Sequence, residues 1–129
     1  MVLAMTHEEI VAGLVAREVN SYQPLPRLVF QIQTKFRDDA RSRAGLIRAR
    51  EFTMKDAYSL DVDEGGWRQY RAIHSAYFGI VGRCGLPVAS VGADVGIMGG
   101  SLAHELMYLS PVREDTILLC DRCGYMANR

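Results

Sequence analysis

An α+β fold, an antiparallel sheet flanked by helices, is what this 129-residue sequence predicts. Two observations carry that expectation. From Phe30 to Arg37, apolar and polar side chains alternate with the period of a half-buried strand, and a second strand-like stretch follows after a polar loop. Two other stretches repeat apolar residues every three or four positions, as amphipathic helices do.

Taken in order, Thr6 followed by Glu9 is a capping-box signature, and Ile10, Val11, Leu14 and Val15 recur at helical spacing, so a helix is expected from about His7 to Val19. Pro24 and Pro26 break the chain before the first strand. In that strand Phe30, Ile32, Thr34 and Phe36 share the face expected to be core, and Gln31, Gln33, Lys35 and Arg37 share the polar one. Asp38 to Gly45 reads as a solvated loop longer than a tight hairpin turn. The second strand, from about Ile47 to Asp56, sets Arg48, Arg50, Phe52 and Met54 on one face and Ala49, Glu51, Thr53 and Lys55 on the other, neither cleanly apolar.

Beyond the acidic, glycine-containing stretch Asp61 to Gly66, Trp67, Tyr70, Ile73, Tyr77, Ile80, Val81 and Cys84 mark a long amphipathic helix ending near Gly85, with Pro87 just past it. Its aromatic stripe reads as core rather than as a ligand box. Val88 to Val91, Ser101 to Leu109 and Thr116 to Cys120 read as short strands. The glycine-rich connection GADVGIMGG has neither the GxGxxG register nor a Walker lysine, which excludes a dinucleotide or P-loop reading. Glycine there permits tight turns and close backbone approach to a ligand.

Composition narrows the function classes. The chain is long enough for one domain with a modest core. With 15 Lys and Arg against 15 Asp and Glu, it is not a strongly basic nucleic-acid module. No apolar run approaches about 18 residues and no secretory leader is visible, so no membrane role is expected and the cytoplasm is the default. Cys120 and Cys123 form a CxxC, but structural zinc wants four ligands and no second pair follows. No metal site is therefore expected, and reduced thiols fit a cytosolic chain.

The chemistry concentrates between Lys35 and Asp56, where two strands and their loop bring Arg37, Arg48 and Phe52 into one possible site. Arginine offers a planar, always-charged fork that matches phosphate oxygens, and an aromatic ring offers a purine a face to stack on. Such a set suits a nucleoside triphosphate. The plainer alternative is a hairpin with a solvated, charged tip.

Phe36-Arg37-Asp38-Asp39 and Arg48-Ala49-Arg50-Glu51-Phe52 resemble motif 2 of class II aminoacyl-tRNA synthetases, which reads Phe-Arg-x-Glu, a variable loop, then Arg-x-x-x-Phe. THEE from Thr6, SYQPLP from Ser21, QIQTKFRD from Gln31, REFTMKDAYS from Arg50, GGSLAHE from Gly99 and CDRCGYMAN from Cys120 are similar, in order, to bacterial-type prolyl-tRNA synthetases. The similarity runs over essentially the whole chain.

The resemblance implies roles. Arg37 matches the arginine that grips the α-phosphate of ATP and the amino-acid carboxylate, Arg48 a contact to the γ-phosphate, and Phe52 the ring that stacks on adenine. Asp39 stands where the family has a glutamate facing the adenine edge. Thr6 and Glu8 match residues that hold the imino group of proline, a cation that a nearby carboxylate favours. His104 falls in the segment that lines the amino-acid pocket, although a lone histidine is as readily structural. Arg41 and Arg43 match the loop that meets the acceptor end of tRNA(Pro). The implied activity is proline-tRNA ligation, with ATP as substrate, magnesium accompanying the phosphates, and a homodimer in the full-length family.

The same resemblance implies that residues 1–129 form part of one catalytic domain, with motif 2 over 35–56. Motifs 1 and 3, the editing insertion and the anticodon-binding domain would lie outside this sequence, and the isolated chain is expected to be weakly active or inactive. Several positions depart from the family pattern: Asp39, Ser42, Ala103, Leu106 and Arg113. Two alternatives follow from them, a non-catalytic relative that binds ATP, tRNA or a synthetase partner, and an enzyme of the same class that charges another amino acid.

Overall fold

The computed structural model describes residues 3–40, 42, 45–96, 99–111 and 115–128. It divides into two compact units, Met1–Arg71 and Ala72–Arg129, the boundary falling inside a helix. Both helices and strands are present, as the α+β expectation requires. Among the described residues no helix is long and apolar enough to cross a membrane.

The first unit opens with α1, Glu8–Glu18, within two residues of the predicted helix. Its start corrects the capping-box expectation. His7 is the N-cap and no side chain caps the helix; the Thr6 hydroxyl, one residue before the cap, donates to the Glu8 carboxylate. Glu8 and Glu9 still place negative charge at the positive end of the helix dipole.

Next come β1, Arg27–Phe36, and β2, Glu51–Leu60, paired antiparallel from Arg27↔Leu60 to Phe36↔Glu51. The ladder continues one step further, since the Arg37 N–H donates to the Arg50 carbonyl at 2.8 Å. On the other edge of β1 the Phe36 N–H donates to the Ala4 carbonyl at 3.1 Å, which ties the N-terminal segment alongside. The second strand starts later than predicted. Gly45, at φ 61°, belongs to a turn that leaves Leu46 96% exposed, and Arg48 makes only an isolated bridge before β2 begins.

The two faces of this ribbon reverse the expected burial. Phe30 and Ile32, predicted core, stand 71% and 62% exposed, while Lys35, on the predicted polar face, is 1% exposed. The cause lies in the partners. Register places Gln31 opposite Asp56 and Lys35 opposite Phe52, and the polar face satisfies itself with an ion pair and amide hydrogen bonds, so it tolerates burial. The apolar face has no comparable cover among the described residues.

After a short 3-10 turn, Glu64–Gly66, comes α2, Trp67–Arg83. It ends as predicted. The Gly85 N–H donates to the Gly82 carbonyl and the Leu86 N–H to the Val81 carbonyl, both at 3.0 Å, with Gly85 at φ 70°: a Schellman motif that needs glycine. The aromatic stripe is only half core. Tyr77 and Val81 are half-buried, whereas Phe78 and Ile80 are exposed and no residue of the helix is fully buried.

In the second unit a four-stranded sheet runs in the order β4-β3-β6-β5 among the described residues. Here β3 is Val88–Gly92, β4 His104–Tyr108, β5 Ile117–Leu119 and β6 Met126–Asn128. Pairing is antiparallel except for the contact of β3 with β6, where Gly92 faces Ala127 in parallel. Val91 is fully buried. Ser101 to Ala103 stay outside β4, which is shorter than predicted, and β6 had no counterpart among the predicted strands. Gly92 lies where a Cβ would come within 2.5 Å of the Tyr125 hydroxyl, so a side chain there would displace the ring.

Candidate nucleotide and amino-acid site

The face of the ribbon that carries Gln31, Gln33, Lys35 and Arg37 also carries Met54, Phe52, Asp56 and Tyr58 from β2, by their register. At its loop end, Arg37 is fixed from two sides. Its Nε donates to the Met5 carbonyl at 3.1 Å, and its guanidinium carbon lies 5.4 Å from the centre of the Phe52 ring. That stacking places a cation on an aromatic face, an arrangement that both phosphate and purine recognition use.

Arg37, Asp39, Arg48 and Phe52 together line a cavity of about 360 Å³. Within it the Arg48 Nε donates to Asp39 Oδ2 at 2.6 Å. The carboxylate thus orients the guanidinium through a charge-assisted hydrogen bond. The four residues assigned by resemblance to the nucleotide side are therefore brought together. We predict that Asp39→Ala and Arg48→Ala each weaken ATP binding roughly tenfold, and that the double variant loses less than the sum because the two act as a pair. Calorimetric titration with ATP across the double-mutant cycle tests this, and strict additivity would separate the two residues.

A second cavity, of about 820 Å³, opens on the other side of Arg37 and is lined by Met5, Thr6, Glu9, Phe36 and Arg50 among others. Thr6, which lines this cavity, donates its hydroxyl hydrogen bond to the Glu8 carboxylate at the corner where the helix starts. Arg37 lines both cavities.

Beneath this corner lies a network that sequence reasoning did not single out. Lys35 Nζ pairs with Asp56 Oδ2 at 2.5 Å and contacts His7 Nδ1, and the Gln31 amide donates to Asp56 at 3.3 Å and to the Tyr58 hydroxyl at 3.1 Å. Burial by itself would raise the Asp56 carboxyl, but hydrogen bonding and charge from Lys35, aided by Gln31 and Tyr58, outweigh it and hold the group below its ordinary value. Burial pushes the Tyr58 phenol up, and the nearby Asp56 charge adds to that. The available signal was the parity that aligned Gln31 and Lys35 with Asp56 and Tyr58. Only the register shows that these residues face one another.

His104 belongs to the second unit, exposed at the start of β4. Its ring meets His74 edge-on at 5.3 Å, and His74 Nε2 lies 2.9 Å from the Ser90 hydroxyl. Thr6, Glu8 and Arg37 belong to the first unit. Arg41 and Arg43 lie outside the described residues.

A family model for the tRNA synthetase class II core domain (G, H, P, S and T) matches residues 1–127. The chain belongs to this family. Its relatives include the proline-tRNA ligase of Salinispora tropica, 65% identical over 130 residues that cover 100% of this chain and 22% of that protein. The proline-tRNA ligase of Caldicellulosiruptor bescii is 52% identical over 98% of this chain and 22% of its own length. That of Thermodesulfovibrio yellowstonii is 50% identical over 99% and 23% respectively. The chain thus spans about a fifth of the length of the curated relatives it matches.

Proposed function

We propose that this chain is the ATP- and proline-binding part of a proline-tRNA ligase of the class II family. The observation that carries the reading is the position of Arg37 as a wall shared by two cavities, one beside Thr6 and one beside Phe52. A residue so placed can hold an amino-acid carboxylate and a nucleotide α-phosphate at once, where the two must react. Phe52 would carry the adenine ring, Arg48, oriented by Asp39, the far phosphates, and Thr6 with Glu8 the imino cation of proline. His104 is proposed as an amino-acid-pocket residue on the resemblance alone.

The reaction needs positioning and charge neutralisation more than proton transfer. A proline carboxylate oxygen attacks the α-phosphorus in line, the bond to the bridging oxygen breaks, and pyrophosphate leaves with the electron pair. Arg37 meets the charge that builds on the α-phosphate oxygens. Transfer of the prolyl group to the terminal hydroxyl of tRNA(Pro) then releases AMP, with Arg41 and Arg43 as the proposed phosphate contacts. Magnesium accompanying the ATP phosphates would supply charge neutralisation on the triphosphate. The proposed setting is the cytoplasm, and the homodimer is proposed for a protein of the family's full length.

Proline-dependent exchange of pyrophosphate into ATP tests the assignment. The complete gene product should exchange with proline and not with threonine or serine, and the 129-residue chain alone should do so weakly or not at all. Exchange driven by another amino acid in preference to proline would sink the proline assignment.

A further inference from the structure

The β5–β6 turn carries a feature that the synthetase site does not use. The Cys120 N–H donates to the Tyr125 carbonyl and the Gly124 N–H to the Cys120 carbonyl, both at 2.8 Å, with Gly124 at φ 72°. These bonds fold CDRC into a closed turn with its two cysteines at the ends. The Cys120 sulfur receives hydrogen bonds from the backbone N–H of Cys123, from the Cys123 thiol and from the backbone N–H of Arg122. The turn keeps the two side chains within one four-residue loop, and both cysteines are exposed to small reagents. Among the described residues no third His, Cys, Asp or Glu joins them as a metal group, whereas structural zinc takes four ligands. A solvent-facing thiol pair in CxxC spacing with backbone donors on one sulfur has the elements of an exchange-active dithiol.

We propose that Cys120 and Cys123 are a reversible redox pair that passes to an intramolecular disulfide by exchange with low-molecular-weight disulfides. The N–H donors, that of Cys123 first, hold the Cys120 thiol below its ordinary value, which makes it the attacking group. Its thiolate attacks one sulfur of the small disulfide, whose S–S bond breaks. One thiol departs with the electron pair and takes up a proton. Cys120 then carries a mixed disulfide, which Cys123, after losing its own proton, attacks at the Cys120 sulfur to expel the second thiol. In sum, two protein thiols become one disulfide and one small disulfide becomes two thiols. Because the same donors stabilise Cys120 as a leaving group, the bond should also be readily reduced.

The purified chain, stripped of metal and equilibrated with mixtures of reduced and oxidised glutathione, provides the test. Mass spectrometry after alkylation should show the loss of two hydrogen atoms, mapped to the peptide that holds Cys120 and Cys123 and reversed by reduced glutathione. Cys84, exposed and lacking such a partner sulfur in its sequence neighbourhood, should instead carry glutathione. Cys123→Ser should trap glutathione on Cys120, and Cys120→Ser should slow the first exchange roughly tenfold. Separate glutathione adducts on Cys120 and Cys123 without an internal disulfide would overturn the proposal. Stoichiometric zinc that shields both thiols until chelated would overturn it too. Peptide mapping of the unaltered chain distinguishes these outcomes even where a variant folds poorly.

Discussion

Arg37→Ala should lower proline-dependent pyrophosphate exchange by the complete gene product on the order of 10²–10³-fold, the range for deleting a donor aimed at transition-state charge. The loss should fall mainly on turnover. Arg37 lines both cavities, so on the proposed reading its removal affects the place where carboxylate and α-phosphate meet and leaves the proposed nucleotide contacts of Arg48 and Phe52 in place. Arg37→Lys should recover little, because an ammonium cannot lie flat at 5.4 Å from the Phe52 ring and reach the Met5 carbonyl with a second planar donor. Exchange that stayed within threefold of the parent in both variants would remove Arg37 from the reaction.

The second large effect is on stability. Asp56→Ala leaves the ammonium of Lys35 buried without its carboxylate, and breaking a buried pair from one side costs about 3–5 kcal/mol. In a domain of this size that is a fall in Tm of more than about 10 °C. Replacing both members by apolar residues, Lys35→Met with Asp56→Leu, should cost much less, since no charge is then stranded. The sign of the pH dependence follows from the carboxyl. Its folded value is lower than the ordinary 3.8, so the stabilisation is fully present above that value and disappears as pH falls through the lower folded one. Asp56→Ala should therefore melt earlier at neutral pH yet lose less on acidification below about pH 4 than the parent. Thermal melts at both pH values check this, and equal sensitivity to acid in parent and variant would contradict it.

The same pair shows where sequence reasoning reached and where it stopped. Alternation from Phe30 to Arg37 correctly indicated a strand, because periodicity reports backbone geometry. It misassigned the faces, because burial depends on what the facing strand supplies. Lys35 is buried since Asp56 lies near it across the ribbon, a pairing fixed by register over more than twenty residues of sequence. The end of α2 was legible because Gly85 and the Schellman bonds are local. Thr6 was misleading as a cap because the helix starts one residue later, with His7 at the N-cap position. The short strand β6 escaped notice because three residues carry no period, and its pairing with β3 joins distant parts of the chain.

Of the candidate site, Arg37, Asp39, Arg48 and Phe52 were readable as a set because motif spacing is preserved in sequence. Their mutual geometry was not. The Arg48 to Asp39 ion pair and the stacking of Arg37 on Phe52 depend on how the loop closes between the strands.

The outward face of β1 has an energetic consequence of its own. Leu28, Phe30 and Ile32 stand 52%, 71% and 62% exposed along one line. Full burial of such side chains is worth about 1.5–3 kcal/mol each, so shielding the half to two-thirds of each that is exposed would release about 3–6 kcal/mol, near the lower end of the folding free energy of a small domain. For this ribbon, acquiring its shape and losing its water are therefore two halves of one equilibrium.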